Sequence, residues 1–258
     1  MNGQPFAGKI ALVTGSGRGI GRAIAQHLAH LGADVIINYV HNQAPADEVG
    51  DSIRSMGRRA LVVRANVGKP EDLERLFRQV EEAFDGLDIL VHSAAIGFNR
   101  PAMEQKISGW DGTMNINART LLFAAQKAVP LMEKRGGGAI VSISSPGAGR
   151  VLPDYVAVGA SKAALEALTR YLAVELAPRN IVVNAVSPGM VATDALQHFR
   201  AMRDPGIFER LTAATPAGRM VTSEDVARVV AFLCSPDAWM IRGQVIVIDG
   251  GYTLIAPY

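Results

Sequence analysis

Thr14-Gly15-Ser16-Gly17-Arg18-Gly19-Ile20-Gly21 stands between a short β-rich run, residues 9–14, and a stretch with helical spacing, residues 20–31. Glycines at this junction allow a tight turn and let a backbone approach a pyrophosphate closely. The helix that follows offers unpaired N–H groups and a partial positive charge at its start. The placement after a strand and before a helix is what makes the glycine pattern informative. Gly15, Ser16, Arg18, Gly19, Ile20 and Gly21 are therefore expected to hold a dinucleotide. A free ribose 2′-hydroxyl is usually met by an acid at the end of the second strand. Here that end reads Ile37-Asn38-Tyr39-Val40-His41, without a carboxylate. Arg18 has a planar fork suited to a 2′-phosphate, so NADPH is the expected cofactor, with Asn38 among the residues around it.

Outward from that stretch, strand-like and helix-like segments alternate. Residues 35–38, 60–64, 89–92, 139–142, 181–186 and 244–248 read as strands. Residues 47–56, 71–84, 110–134 and 161–176 read as helices, and in 71–84 Leu73, Leu76, Phe77, Val80 and Phe84 share one side. Several strands are continuous apolar runs, as when helices cover both faces of a parallel sheet. The rhythm predicts an α/β fold: one doubly wound Rossmann-type domain over residues 1–258, its sheet mainly parallel, with helices on both faces. Residues 194–219 fit the rhythm poorly and contain two prolines, so a helical lid over a pocket is expected there. At the strand ends where ligands bind in such folds, Asn66 and Val67 are placed to bracket an adenine, and Ala94 lies where a cofactor would pass. Pro188, Gly189, Val191 and Thr193 complete the expected set, with Thr193 suited to the nicotinamide carboxamide.

Composition narrows the setting. The chain has 258 residues, 49% hydrophobic and 19% charged, which suits a globular domain with a sizeable core. A net charge of +2 gives no support to a nucleic-acid partner. The single Cys234 fits a reducing compartment. No apolar run approaches the roughly 18 residues of a membrane span, and the N-terminus lacks a secretion pattern. A cytoplasmic protein without membrane contact is expected.

The remaining signal is chemical. Tyr155 and Lys162 lie seven residues apart, and Val158 stands four before the lysine. At about 100° per residue, a seven-residue step keeps both side chains on one helix face. On the helix read from residue 161, Lys162 falls in the first turn, where a cation opposes the helix dipole and calls for a reason.

The chain resembles the short-chain dehydrogenase/reductase family over essentially its whole length. The resemblance rests on residues 14–21, Asn117, residues 142–145, Lys162, Pro188-Gly189 and Asp249-Gly250-Gly251. Within that family it looks most like the type III enoyl-acyl-carrier-protein reductases. The matching stretches are Met114-Asn115-Ile116-Asn117-Ala118, Val141-Ser142-Ile143-Ser144-Ser145, SKAALEALTRYLAVEL at 161–176 and TPAGRM at 215–220. The wide tyrosine-to-lysine step belongs to the same likeness, since the broad family usually has four residues there. The resemblance implies NADPH-dependent reduction of trans-2-enoyl thioesters in acyl-chain synthesis, usually by a homotetramer. Tyr155 would donate a hydrogen bond to the enolate oxygen, and Lys162 would hold the nicotinamide ribose. A serine thirteen before the tyrosine orients substrate in the broad family. With the tyrosine shifted, Ser142 and Ser145 both qualify, and Ser145 is preferred. Asn117 would steady the central helix or a water chain near the lysine.

If an acyl carrier protein delivers the substrate, the pocket mouth should be basic. Arg200, Arg203, Arg210 and Arg219 are interleaved there with Leu196, Phe199, Met202, Ile207, Phe208 and Leu211. Two other readings stay open: a reductase of a ketone, β-ketoacyl thioester or quinone, and a non-catalytic dinucleotide-binding sensor.

Overall fold

The computed structural model describes residues 4–191, 204 and 206–255. Seven strands form one parallel sheet: β1 (Ile10–Val13), β2 (Asp34–Tyr39), β3 (Ala60–Arg64), β4 (Ile89–His92), β5 (Gly138–Ile143), β6 (Ile181–Pro188) and β7 (Val245–Ile248). Their order is β3-β2-β1-β4-β5-β6-β7, and every neighbouring pair is parallel. The expected doubly wound domain is present. Chain direction across the sheet reverses between β1 and β4, which opens a crevice at the C-terminal ends of those two strands.

Side-chain alternation sorts the sheet into two cores. Leu12, Ile36, Leu90, Ile140 and Val183 face α3 (Pro70–Ala83), α5 (Thr120–Glu133) and α6 (Val156–Glu175). Val13, Ile37, Val91, Val141 and Val186 face α1 (Gly19–His30), α2 (Gln43–Ser55) and α8 (Ser223–Leu233). Burial on both faces explains why β1 is an unbroken apolar run and why β4 and β6 carry few polar residues. Among the described residues no helix is long and apolar enough to cross a membrane.

The boundaries differ from the sequence reading where local signals compete. Residues 110–134 are not one regular helix: α4 (Ile107–Met114) passes through a π turn, Asn115–Arg119, into α5. The helix read from residue 161 begins at Val156, because Asp154 turns the chain with a φ of 59° and Tyr155 caps the start. Lys162 is therefore in the second turn, and the dipole argument does not apply to it. α8 has a capping box that the sequence carries plainly: Thr222 accepts the Asp225 N–H, and Asp225 accepts the Thr222 N–H. Cys234, at the end of α8, is half-buried, and desolvation pushes its thiol up to about 12.

At the opposite edge of the sheet from the crevice, Asp88 is buried just before β4. Its carboxylate accepts the Lys9 ammonium at 2.9 Å, the Ile10 N–H at 3.0 Å and the Arg135 Nε–H at 3.1 Å. Asp88→Ala should cost about 2–3 kcal/mol of stability in urea unfolding. Dinucleotide affinity should hardly change. Loss of affinity without loss of stability would contradict this division between the two ends of the strands.

Candidate active site

The two loops at the crevice are fastened by one hydroxyl. Thr14 Oγ1 accepts the N–H groups of Ser93 at 3.1 Å and Ala94 at 3.0 Å. This draws the turn after β1 against the loop after β4. Gly15 sits at a φ of +65°, and a Cβ there would lie 2.8 Å from the Ala94 Cα, so only glycine fits. Gly19, Ile20 and Gly21 form the first turn of α1, with Arg18 exposed at its N-cap. That helix start has no side-chain cap and no acid in its first turn. An anionic group therefore fits the cradle, as the glycine pattern requires.

Asn38 and Ser16 are fully buried and turned inward. Asn38 Oδ1 accepts the Gly15 N–H at 3.2 Å, while its Nδ2 donates to the Ala65 carbonyl at 2.9 Å. Ser16 Oγ donates to the Val13 carbonyl at 2.7 Å and accepts the Asn38 N–H at 3.1 Å. Both side chains hold the turn in shape from behind rather than facing a ligand.

The other strand-end residues are mixed. Asn66 is half-buried and accepts the Gly68 N–H at 3.1 Å. The Val67 side chain is packed into the core, which leaves only its main chain at the crevice. Pro188 ends β6, the Gly189 N–H donates to the Ile248 carbonyl at 3.0 Å, and buried Val191 bridges to Val221. Thr193 lies outside the described residues.

Tyr155 precedes α6 as its N-cap, with φ −109° and ψ 11°. Its carbonyl closes the first turn by accepting the Gly159 N–H at 2.7 Å, and its ring lies against Gly147. Its hydroxyl is 3.4 Å from Ser145 Oγ, which also accepts the Gly147 N–H at 3.2 Å. Ser142, the other candidate, is fully buried and paired with Thr169 at 3.2 Å, so geometry singles out Ser145. Val158 is buried with a methyl against Gly97, where a Cβ would come within 2.1 Å.

Lys162 is 5% exposed and its Nζ donates to the Ile143 carbonyl at 2.7 Å. Burial pulls its pKa down to about 8, although Glu166, one turn along, favours the charged form. Glu166 itself accepts the Ser144 hydroxyl at 2.6 Å. Desolvation raises the Tyr155 phenol above its ordinary value and outweighs the Ser145 hydrogen bond, so the phenol is a proton-bearing donor at neutral pH.

Asn117, in the π turn, is fully buried. Its side chain takes the N–H and gives to the carbonyl of Ile96, both at 2.9 Å, and gives to Ser161 Oγ at 2.9 Å. It clamps the loop after β4 to α6. Its carbonyl oxygen lies 3.2 Å from His92 Nε2. His92 was missed in the sequence, as was Thr14, to which its Nδ1 lies at 3.4 Å. Burial first and the Lys162 charge second pull His92 down to about 4, so it is neutral. A polar residue closing an apolar, fully buried strand was the available signal.

Of the expected lid, residues 194–203 and 205 lie outside the described residues, including Leu196, Phe199, Arg200, Met202 and Arg203. The remainder forms α7 (Ile207–Ala213) and a loop packed on Asp249-Gly250-Gly251. Arg210 pairs with Asp204 at 2.5 Å, and Arg219 grips Asp225 through both nitrogens at 2.6 and 3.0 Å. Both ion pairs lie at the surface. Leu211 lines a small cavity under α7 with Met190 and Tyr252.

A nucleotide-binding sheet with a tyrosine, serine and buried lysine at its crevice defines a class of oxidoreductase. The family model described as "Enoyl-(Acyl carrier protein) reductase" matches residues 15–253. The hydroxynaphthalene reductase-like protein Arp2 of Metarhizium majus is 40% identical, over 96% of each chain. The NADPH-dependent aldehyde reductase-like protein of Arabidopsis thaliana is 36% identical, over 96% of this chain and 95% of its own. A short chain dehydrogenase from Burkholderia cenocepacia, solved in complex with NADP, superposes with a TM-score of 0.88 at 37% identity, over 96% of this chain and 99% of its own. The chain belongs to the short-chain dehydrogenase/reductase family and is an oxidoreductase.

A buried ammonium with a depressed pKa makes a testable contribution to stability. Below about pH 8 Lys162 is charged in both folded and unfolded chains, and the cost of burying that charge is fully present. Between about 8 and 10.5 the folded chain has lost the proton that the unfolded chain keeps, so stability rises with pH. The wild type should gain stability relative to Lys162→Met across that window in chemical denaturation. A difference that stays flat with pH would contradict the burial of a titrating ammonium.

Proposed function

We propose that the chain is an NADPH-dependent reductase of trans-2-enoyl thioesters, acting on their carbon–carbon double bond. The observation that carries this reading is the exchange at the crevice. The position four before Lys162 is a buried valine, and the phenol that reaches Ser145 comes from Tyr155, three residues earlier. A conjugated thioester takes hydride at Cβ while charge gathers on an oxygen two carbons away, so the donor for that oxygen need not adjoin the lysine. The description of the matching family model supports the same reading.

When bound, NADPH supplies the hydride. Its pyrophosphate would rest on Gly15 and the first turn of α1, and its 2′-phosphate would face Arg18, for which the second strand provides no acidic competitor. Lys162 would hold the ribose hydroxyls beside the nicotinamide. Tyr155 donates a hydrogen bond to the thioester oxygen as negative charge develops, where such a bond lowers the barrier most, and the enolate then takes a proton from water at Cα. Ser145, oriented by the Gly147 N–H, fixes the direction of the phenol.

The second reading is carbonyl reduction. The names of the relatives, a hydroxynaphthalene reductase-like and an aldehyde reductase-like protein, favour it over the first. In that case the same Tyr155 hydroxyl gives its proton to the alkoxide. One experiment separates the two. NADPH oxidation is followed with crotonyl and with acetoacetyl thioesters, for the wild type and for Tyr155→Phe. The first reading expects consumption with crotonyl substrate and a drop of about 100- to 1000-fold in the variant. Turnover confined to the β-keto substrate would transfer the assignment to the second. Wild-type turnover in the variant would remove Tyr155 from both.

We also propose a homotetramer in a reducing cytoplasm. Tyr171 and Val174 on α6, Phe123 on α5 and Val247 on the edge strand β7 are exposed large apolar residues, the kind of surface that self-association covers. Light scattering should return four times the chain mass, and a monomer would refute this.

A further inference from the structure

Building on the enoyl-thioester reading, we propose that a cavity beside α4 binds the phosphate of the pantetheine arm that carries the substrate. The cavity, about 200 Å³, lies between the loop after β4, the first turn of α4 and the start of α6. Phe98, Arg100, Gln105, Lys106, Ser108 and Ala157 are among the residues that line it, and among the described residues no carboxylate does. Arg100 and Lys106 form no ion pair among the described residues. Among the described residues the Arg100 guanidinium donates one long hydrogen bond, at 3.4 Å to the Glu104 carbonyl. Two cations, a hydroxyl and an amide that converge on one hollow suit a phosphate, which offers several acceptor oxygens and up to two charges. Lys106 caps an eight-residue helix that has no acid in its first turn, which adds to the same bias.

The cavity is mechanically part of the site. The Arg100 N–H donates at 2.7 Å to the carbonyl of Asp154, the residue before Tyr155. Gln105 Nε2 donates at 2.7 Å to the Arg100 carbonyl. Ala157 lies two residues beyond Tyr155, and Phe98 follows the Gly97 that receives Val158. The exposed Phe98 ring offers an apolar edge for the methyl groups of the pantetheine arm. Arg210 and Arg219 each pair with an acid of the chain, whereas among the described residues Arg100 and Lys106 form no ion pair.

The test compares crotonyl-4′-phosphopantetheine with crotonyl-pantetheine as substrates, for the wild type and for the double variant R100Q/K106Q. The wild type should favour the phosphorylated substrate by about tenfold in kcat/KM, and the double variant should bring the two close to parity. Parity in the wild type, or a preference that survives in the double variant, would overturn the site. The single variants R100Q and K106Q, each expected to lose part of the preference, guard against misfolding of the double. In parallel, calorimetry with NADP⁺ at saturation compares 4′-phosphopantetheine with pantetheine. If no thioester is reduced but phosphopantetheine binds and R100Q/K106Q abolishes that binding, the enoyl reading falls and the anion site stands. If both thioesters are reduced equally well, the site falls and the reaction stands.

Discussion

The crevice depends on how closely two loops approach at the point where the sheet changes direction. The Thr14 hydroxyl oxygen accepts two main-chain N–H groups from across that point, and the glycine after it leaves no room for a side chain. Behind this contact, Asn38 and Ser16 bind the turn to the core. In front of it, His92 runs from Thr14 toward the Asn117 carbonyl. The π turn sets Asn117 so that its amide joins the loop after β4 to Ser161 on α6. Lys162 follows directly in that helix. The position of the ammonium thus traces back, bond by bond, to one threonine at the end of the first strand.

Electrostatics at the site follow from the same burial. Lys162 is enclosed and carries its charge at a cost that Glu166 only partly offsets. The neighbouring imidazole of His92 is kept neutral by the same desolvation and by the lysine itself. Tyr155 is held in its protonated form. A cation, a neutral imidazole and a hydroxyl donor therefore stand together, a distribution that favours substrates in which negative charge appears on oxygen.

Much of this was legible in the sequence because the signals were local. The glycine pattern after a β-rich run, the apolar strands and the tyrosine–lysine step each depend on neighbours along the chain. The capping box of α8 was equally local and was overlooked. What could not be read required knowing which side chains meet in space. Asn38 looks like a ligand residue until Gly15, Val63 and Ala65 are seen to use its amide. Arg219 looks like a free cation until Asp225 is found across a helix start. The choice between Ser142 and Ser145 rested on which of them Thr169 occupies. The start of α6 was misplaced because a non-glycine residue, Asp154, takes up a left-handed turn that no simple pattern announces.

The location of Tyr155 ahead of α6 has a consequence for how such a site can change over time. The Tyr155 carbonyl closes the first turn of that helix by accepting the Gly159 N–H at 2.7 Å, so the phenol is tied to the same rod as the lysine. The left-handed Asp154 just before it is where the incoming loop changes direction. Inserting or deleting a residue ahead of that turn would reshape the acceptor side of the crevice and leave the spacing of phenol and lysine unchanged.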